Sequence, residues 1–144
     1  MARSSGSGEP VAVVLHPASL PVVERGGGAR TIPLVTEELG TRELLNGITT
    51  FKPGAAIPWH KHNCEESVMV LEGSAVFEMS GSEHRLTRMD TTWIPAGIPH
   101  RFRNESDRDE LTIFWTYASV NADRTLIETG QTRSIAEEHG RGKS

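Results

Sequence analysis

His60 and His62 stand one residue apart in the stretch Pro58-Trp59-His60-Lys61-His62-Asn63-Cys64-Glu65-Glu66, and Glu66 follows four positions after the second histidine. Side chains on an extended strand alternate between its faces, so both imidazoles issue from one side. Glu66 has the same parity and can join that face after a small bend. A further histidine, His100, comes in the stretch IPAGIPHRFRN. Three neutral imidazoles and one carboxylate suit a divalent first-row metal such as iron, manganese, nickel, copper or zinc. The spacing alone also permits a plainer arrangement, in which a His-x-His pair is two partly exposed strand residues.

The neighbours of these donors divide by parity. Cys64 falls on the side of His62 and Glu66, but the bend expected between the ligands makes it a loop thiol without a metal role. Glu65 alternates away from Glu66 and is expected in solvent, as are Arg101 and Arg103, which flank Phe102 and differ in parity from His100. His16, His84 and His139 lie apart from the two stretches and are expected at the surface.

Strand signals dominate the region that must position these groups. From Leu44 onward the chain reads as short segments, ELLNGITTF, ESVMVLEG, SAVFEMS, HRLTRM, TTWIP, HRFRN and ELTIFWTYAS, separated by Pro53-Gly54, Glu72-Gly73, Ser80-Gly81 and Pro95-Ala96-Gly97. Several are rich in β-branched or aromatic residues, and this cadence predicts a small sandwich or barrel. Helical signals are confined to one or two turns. VTEELGTRELLNG is interrupted by Gly40, and SIAEEHG has the Ser134 to Glu137 spacing of a capping box. VAVVLH is a short apolar run with a possible edge strand at 11–15, and Gly26-Gly27-Gly28 reads as a flexible link.

Length and charge set the outer limits. A chain of 144 residues holds one compact domain. The expected division is a flexible N-terminal segment at 1–30, a barrel at 31–120 and a polar C-terminal segment at 121–144. The net charge of −4 comes with dispersed basic residues, which speaks against nucleic acid as a partner. One cysteine makes no intrachain disulfide, the opening MARSSGSGEP lacks the apolar core of a signal peptide, and no run reaches membrane-spanning length. A cytoplasmic protein without a membrane partner is the expectation, and the exposed edge of a small barrel makes a homodimer the expected assembly.

Two longer patterns give these residues a family context. Gly54, five residues, His60-Lys61-His62, three residues, Glu66, six residues and Gly73 form one block; Pro95-Ala96-Gly97, two residues, His100, three residues and Asn104 form another. Together they resemble the two signature motifs of the cupin superfamily. The resemblance spans residues 54–104 and extends through flanking strands to about 31–120. It implies an all-β fold, a small antiparallel β-barrel of jelly-roll type, in which His60, His62, Glu66 and His100 meet on one metal. The second motif departs from the pattern at one point, since Met89 stands where a glycine is usual. The fifteen residues between Gly73 and Met89 suffice for two strands and a turn, which resembles compact single-domain cupins.

Such a site leaves a local charge of about +1, by adding a divalent ion to one carboxylate, and welcomes an anionic oxygen. The expected function is a metal-dependent enzyme of dioxygenase, isomerase or decarboxylase type, acting on a small anionic or oxygen-rich molecule. The alternative is a non-catalytic ligand-binding cupin whose metal is structural or grips the ligand. Trp59, Phe77, Met79, Trp93, Phe102 and Trp115 are pocket-lining candidates, each equally able simply to fill the core.

Overall fold

A computed structural model describes residues 10–139 of the chain. Its twelve strands form two six-stranded antiparallel sheets. The first sheet contains β1 (Val23–Gly26), β2 (Ala29–Pro33), β3 (Leu45–Phe51), β10 (Leu111–Tyr117), β5 (Glu66–Glu72) and β8 (Thr91–Ile94), in that spatial order. The second contains β12 (Thr132–Ser134), β11 (Asp123–Leu126), β4 (His60–His62), β9 (His100–Arg103), β6 (Ala75–Met79) and β7 (Ser82–Leu86). The fold class is all-β, of jelly-roll type. Helix is limited to two 3-10 turns, at Pro17–Ser19 and Glu37–Leu39, and one short α-helix, α1 (Ile135–His139).

The period-two pattern of the central strands explains why they pair as they do. In β3 the inward residues are Leu45, Gly47, Thr49 and Phe51; in β10 they are Leu111, Ile113, Trp115 and Tyr117. The two strands run antiparallel with Phe51 opposite Leu111 and Leu45 opposite Tyr117, so both inward rows face the same interior. At one end Phe51 and Leu111 are 0% exposed and Phe102 is 2% exposed. Each such side chain contributes roughly 1.5–3 kcal/mol relative to an exposed one. Gly47 is needed where it stands, because a Cβ there would lie 2.5 Å from the Trp115 ring.

Turn chemistry accounts for the remaining boundaries. Gly40 ends the second 3-10 turn at φ 104°. The three consecutive glycines, expected as a flexible link, instead make the tight β1–β2 hairpin, all three with positive φ. Ser134 Oγ accepts the Glu137 N–H at 2.9 Å, the N-terminal bond that the Ser134–Glu137 spacing predicts for α1. Met89 adopts φ 77°, the sole non-glycine residue with positive φ among the described residues. The turn therefore keeps glycine geometry with a methionine in it, held by Met89 N–H to Val70 O at 2.8 Å and Val70 N–H to Asp90 O at 3.0 Å.

The sheets extend beyond 31–120 on both sides. β1 and part of β2 precede it, and β11, β12 and α1 follow it, packed as part of the barrel rather than as a separate polar segment. Residues 11–15 form no strand in the single chain; the place beside β2 is taken by β1, and Val11 and Val14 are exposed. The serine- and glycine-rich stretch 1–9 and the end 140–144 lie outside the described residues.

Candidate metal centre and barrel mouth

Strand register brings the four expected donors together. His60 on β4 is paired directly with His100 on β9. His62 issues from the same face of β4, two residues on, and Glu66 begins β5 in the opposing sheet. All four are buried, between 1% and 5% exposed. The three imidazoles offer ligand atoms within 4.8 Å of one another. Glu66 Oε1 lies 3.2 Å from Nε2 of His62 and 3.2 Å from Nε2 of His100.

The outer nitrogens decide which way the rings present their lone pairs. Nδ1 of His60 is 2.7 Å from Pro58 O, Nδ1 of His62 is 2.9 Å from Asp123 O, and Nδ1 of His100 is 2.8 Å from Ile98 O. A carbonyl oxygen only accepts, so each Nδ1 carries the proton and each neutral ring turns an unprotonated Nε2 inward. Backbone carbonyls of this kind fix both tautomer and ring orientation in metal sites.

The interior is therefore a meeting of acceptors. Burial tends to raise the Glu66 carboxyl, and it is held well below the ordinary carboxylate range only where hydrogen bonds and positive charge on the His100 and His62 side face it. With both rings protonated on Nδ1, a cation between them and Glu66 would supply that charge. An ionised oxygen 3.2 Å from a ring lone pair repels it unless positive charge lies between them. The chemistry of this donor set, three imidazoles with a carboxylate beside two of them, fits a single divalent ion, which His60, His62 and His100 would hold with Glu66. His60 is held neutral, well below its ordinary range, first by burial and then by the neighbouring His100 and His62 rings.

Tyr117 sits at the rim of this cluster and was not anticipated. It is the register partner of Glu66, its ring is 4.7 Å from that of His62, and its hydroxyl lies 3.5 Å from His62 Nε2. Burial, reinforced by Glu66, pushes its hydroxyl well above the ordinary phenol range, so it remains a neutral donor. Its parity with Ile113 and Trp115 along β10 was the available signal.

A cavity of about 40 Å³ borders His60, Glu66, Trp115 and Tyr117. Outside it is a cleft of about 420 Å³ between the β1–β2 hairpin and the segment before β4. Arg25, Ile57 and Arg124 line both spaces and form the wall between them. α1 closes the mouth beside this wall. Its His139 stacks on Trp115, with centroids 5.1 Å apart, and is buried rather than at the surface as expected. The reason is pairing: Arg25 Nη1 lies 3.1 Å from His139 Nε2, and Glu138 carries ion pairs to Arg25 and Arg124. Polar composition thus disguised a docked element.

Residues 47–117 match the cupin domain family. The chain belongs to the cupin superfamily. Over 92 residues this cupin is 33% identical to polyketide synthase CurC of Streptomyces cyaneus, covering 63% of this chain and 59% of that protein. Over 68 residues it is 36% identical to quercetin 2,3-dioxygenase of Bacillus subtilis, covering 46% of this chain and 20% of that one. It spans about three-fifths of the length of the first of these curated relatives and a fifth of the second. Among solved structures, the polyketide cyclase RemF from Streptomyces resistomycificus shares the fold with a TM-score of 0.70 at 18% identity, over 87% of this chain and 86% of that one.

The remaining site expectations separate cleanly in this cupin. Phe102 and Trp115 border the inner cavity, and Phe77 packs behind them, 4.9 Å from the Phe102 ring and 6.1 Å from His100. Trp59 and Met79 border a different depression, shared with Glu78 and Glu83, and Met79 also packs against the core as the register partner of His100. Trp93 does not line the interior: it is 67% exposed and donates its indole N–H to Glu65 at 2.8 Å, because its neighbour Ile94 takes the inward position on β8. Arg101 and Arg103 pair with Glu78 on the outer face, and Cys64 is a half-buried protonated thiol at the core's edge. Asn104 serves the fold, donating to Phe51 O, Lys52 O and Asp109 O.

Proposed function

We propose that this cupin is a metal-dependent enzyme, with one divalent transition metal held by His60, His62, Glu66 and His100 and a small anionic or oxygen-rich substrate. The observation that carries this reading is the convergence of three imidazole ligand atoms within 4.8 Å of one another, two of them, Nε2 of His62 and of His100, also 3.2 Å from Glu66 Oε1, with every Nδ1 already committed to a backbone carbonyl. When bound, the ion supplies Lewis-acid polarisation and, for a redox-active metal, oxygen chemistry. The chain's own residues orient the three rings, keep a neutral phenol at Tyr117, and leave the cleft outside Arg25 and Arg124 for the body of the substrate.

Dioxygenation, isomerisation and decarboxylation are the reaction types in view. Support for an oxygen-rich substrate comes from relatives whose names specify polyketide or quercetin chemistry, since both compound classes carry several enolic or phenolic oxygens. Elemental analysis of protein purified without added metal tests the first half of the reading. Turnover of an enolic, aromatic or keto-acid panel by the loaded protein tests the second. A metal-free protein that takes up no ion on titration would end the proposal.

A second reading, a non-catalytic binding cupin, is favoured by the inner cavity of about 40 Å³, which admits water but no organic molecule. Tight calorimetric binding of a panel member without turnover would select it. A cytoplasmic homodimer joined through the segment 11–15 belongs to either reading, and a monomeric mass in solution would contradict it. Among the described residues no helix is long and apolar enough to cross a membrane.

A further inference from the structure

Two arginines from opposite sheets meet at the barrel mouth, outside both sequence motifs. Arg124 is the register partner of His62, so its side chain leaves β11 on the inward face. Arg25 lies where the β1–β2 register shifts between Glu24 and Gly26, and such an irregularity re-aims a side chain. Their side chains are only 15% and 14% exposed. Both grip one carboxylate. Arg25 Nη2 is 3.3 Å from Glu138 Oε1, while Arg124 places Nε 3.1 Å and Nη2 2.9 Å from Oε2. Within this trio two guanidiniums face one carboxylate, which leaves positive charge in excess. The other atoms bonded by Arg25, Thr31 Oγ1 at 3.4 Å and His139 Nε2 at 3.1 Å, are neutral. Both arginines line the outer cleft and also the inner cavity bordered by His60 and Glu66, so they stand between the two spaces.

We infer that Arg25 and Arg124 form a carboxylate-binding subsite on the path to the metal centre, and that Glu138 holds this place until a substrate carboxylate replaces it. The planar forks of two arginines match a carboxylate better than a neutral carbonyl. Glu138 already shows that the geometry accepts one. It rides on a helix of only five residues, and so short a helix draws its stability from docking rather than from its own hydrogen bonds, so exchanging its carboxylate for another is a local event. The inference rests on the proposed function for the substrate's direction of approach, and it adds the substrate class: a monocarboxylate whose acid group stays at the mouth while its reacting oxygens reach inward.

Benzoate titrated into the full chain, with benzamide as the neutral control, tests the subsite by calorimetry. Glu138→Gln should bind benzoate at least about tenfold more tightly than wild type, a difference worth about 1.4 kcal/mol, with no gain for benzamide. Adding Arg124→Gln to that variant should abolish the gain. Equal benzoate affinity in wild type and Glu138→Gln, or equal gains for benzoate and benzamide, would overturn the inference. If Glu138→Gln does not fold, wild type carries the test: Arg124→Gln alone must then weaken benzoate binding about tenfold, and unchanged affinity overturns the subsite. His100→Ala combined with Glu138→Gln separates the two proposals. Loss of the benzoate gain would mean that benzoate binds at the metal, which refutes the subsite. Retention of both metal and benzoate would refute the metal assignment while upholding the subsite.

Discussion

The two ends of the site are built from opposite materials. At the candidate metal centre the inward atoms accept: three imidazole lone pairs set by the paired strands β4 and β9, and a carboxylate from β5 in the opposing sheet. At the mouth the excess lies with donors, two guanidiniums on one carboxylate, assembled from β1, β11 and α1. The centre calls for a cation, whereas the mouth supplies its own partial counter-ion from the chain. The difference teaches where vulnerability lies: on the proposed reading the centre depends on an added cation, the mouth on a helix that must stay docked.

The largest effect should break this contrast most directly. His60→Ala or His100→Ala removes one of four donors and should lose most bound metal, an affinity loss of about 100-fold or more given the 10–100-fold cost of weaker outer-contact changes. His84→Ala, an exposed residue on β7, and Glu138→Ala should leave metal content unchanged. Metal content measured on the four purified variants decides; parity among all four would dissolve the distinction between centre and mouth.

Acid should act on the mouth through His139. Burial, with Arg25 and Arg124 adding repulsion, lowers the ring to about 3, whereas an unfolded histidine titrates near 6.5. Between those values the unfolded chain takes up a proton that the folded ring refuses. Stability is therefore full above about 6.5 and falls as pH drops toward 3, by about 1.4 kcal/mol per pH unit from this residue. The charged groups around the ring are Arg25 from β1, Arg124 from β11 and its own neighbour Glu138; Glu37 and Glu38 border the adjoining crevice with it. Urea unfolding at a series of pH values should show this slope in wild type and a shallower one in His139→Gln. Identical slopes would remove His139 from the account.

A smaller loss is expected from Gly47→Ala, which places a methyl 2.5 Å from the Trp115 ring and 2.9 Å from Ile32 O. Trp115 donates to Thr49 Oγ1 at 2.8 Å and supports His139 by stacking, so the mouth should loosen with it. Overpacking of this kind costs about 1–3 kcal/mol, read as a lowered urea midpoint with unchanged slope. Near-neutral behaviour would mean that Trp115 has room to move and that the mouth is softer than its contacts indicate.

How far the sequence could be read follows the same contrast. His60 and His62 declared their shared face by period two, and Glu66 and His100 joined them through motif spacing, because local strand geometry fixes where such side chains point. The jelly-roll itself was legible in the rhythm of short strands and turns. Arg25, Arg124 and Glu138 were not, since they lie some 14 to 113 residues apart and meet only through tertiary packing that leaves no periodic mark. His139 was placed at the surface because a polar segment looks solvated until its partners are known. Trp93 failed as a lining residue for a reason parity contains, its inward neighbour Ile94, but choosing between adjacent apolar residues needs the register of β8 against β5.

Met89 offers the finest test, because it concerns a position where sequence pattern and side chain disagree. Its φ of 77° is the conformation glycine adopts freely, and the methionine is 64% exposed, so little packing compensates for the strain. A non-glycine residue in this region costs roughly 1–2 kcal/mol, partly offset by the greater freedom glycine restores to the unfolded chain, about 0.5–1 kcal/mol. Met89→Gly should therefore stabilise the protein by about 0.5–1 kcal/mol, seen as a small rise in Tm with metal content unaltered. Destabilisation would show that the methionine makes a contact the single chain does not contain, and the exposed face of β8, with Trp93 beside it, would be where to look for the second surface.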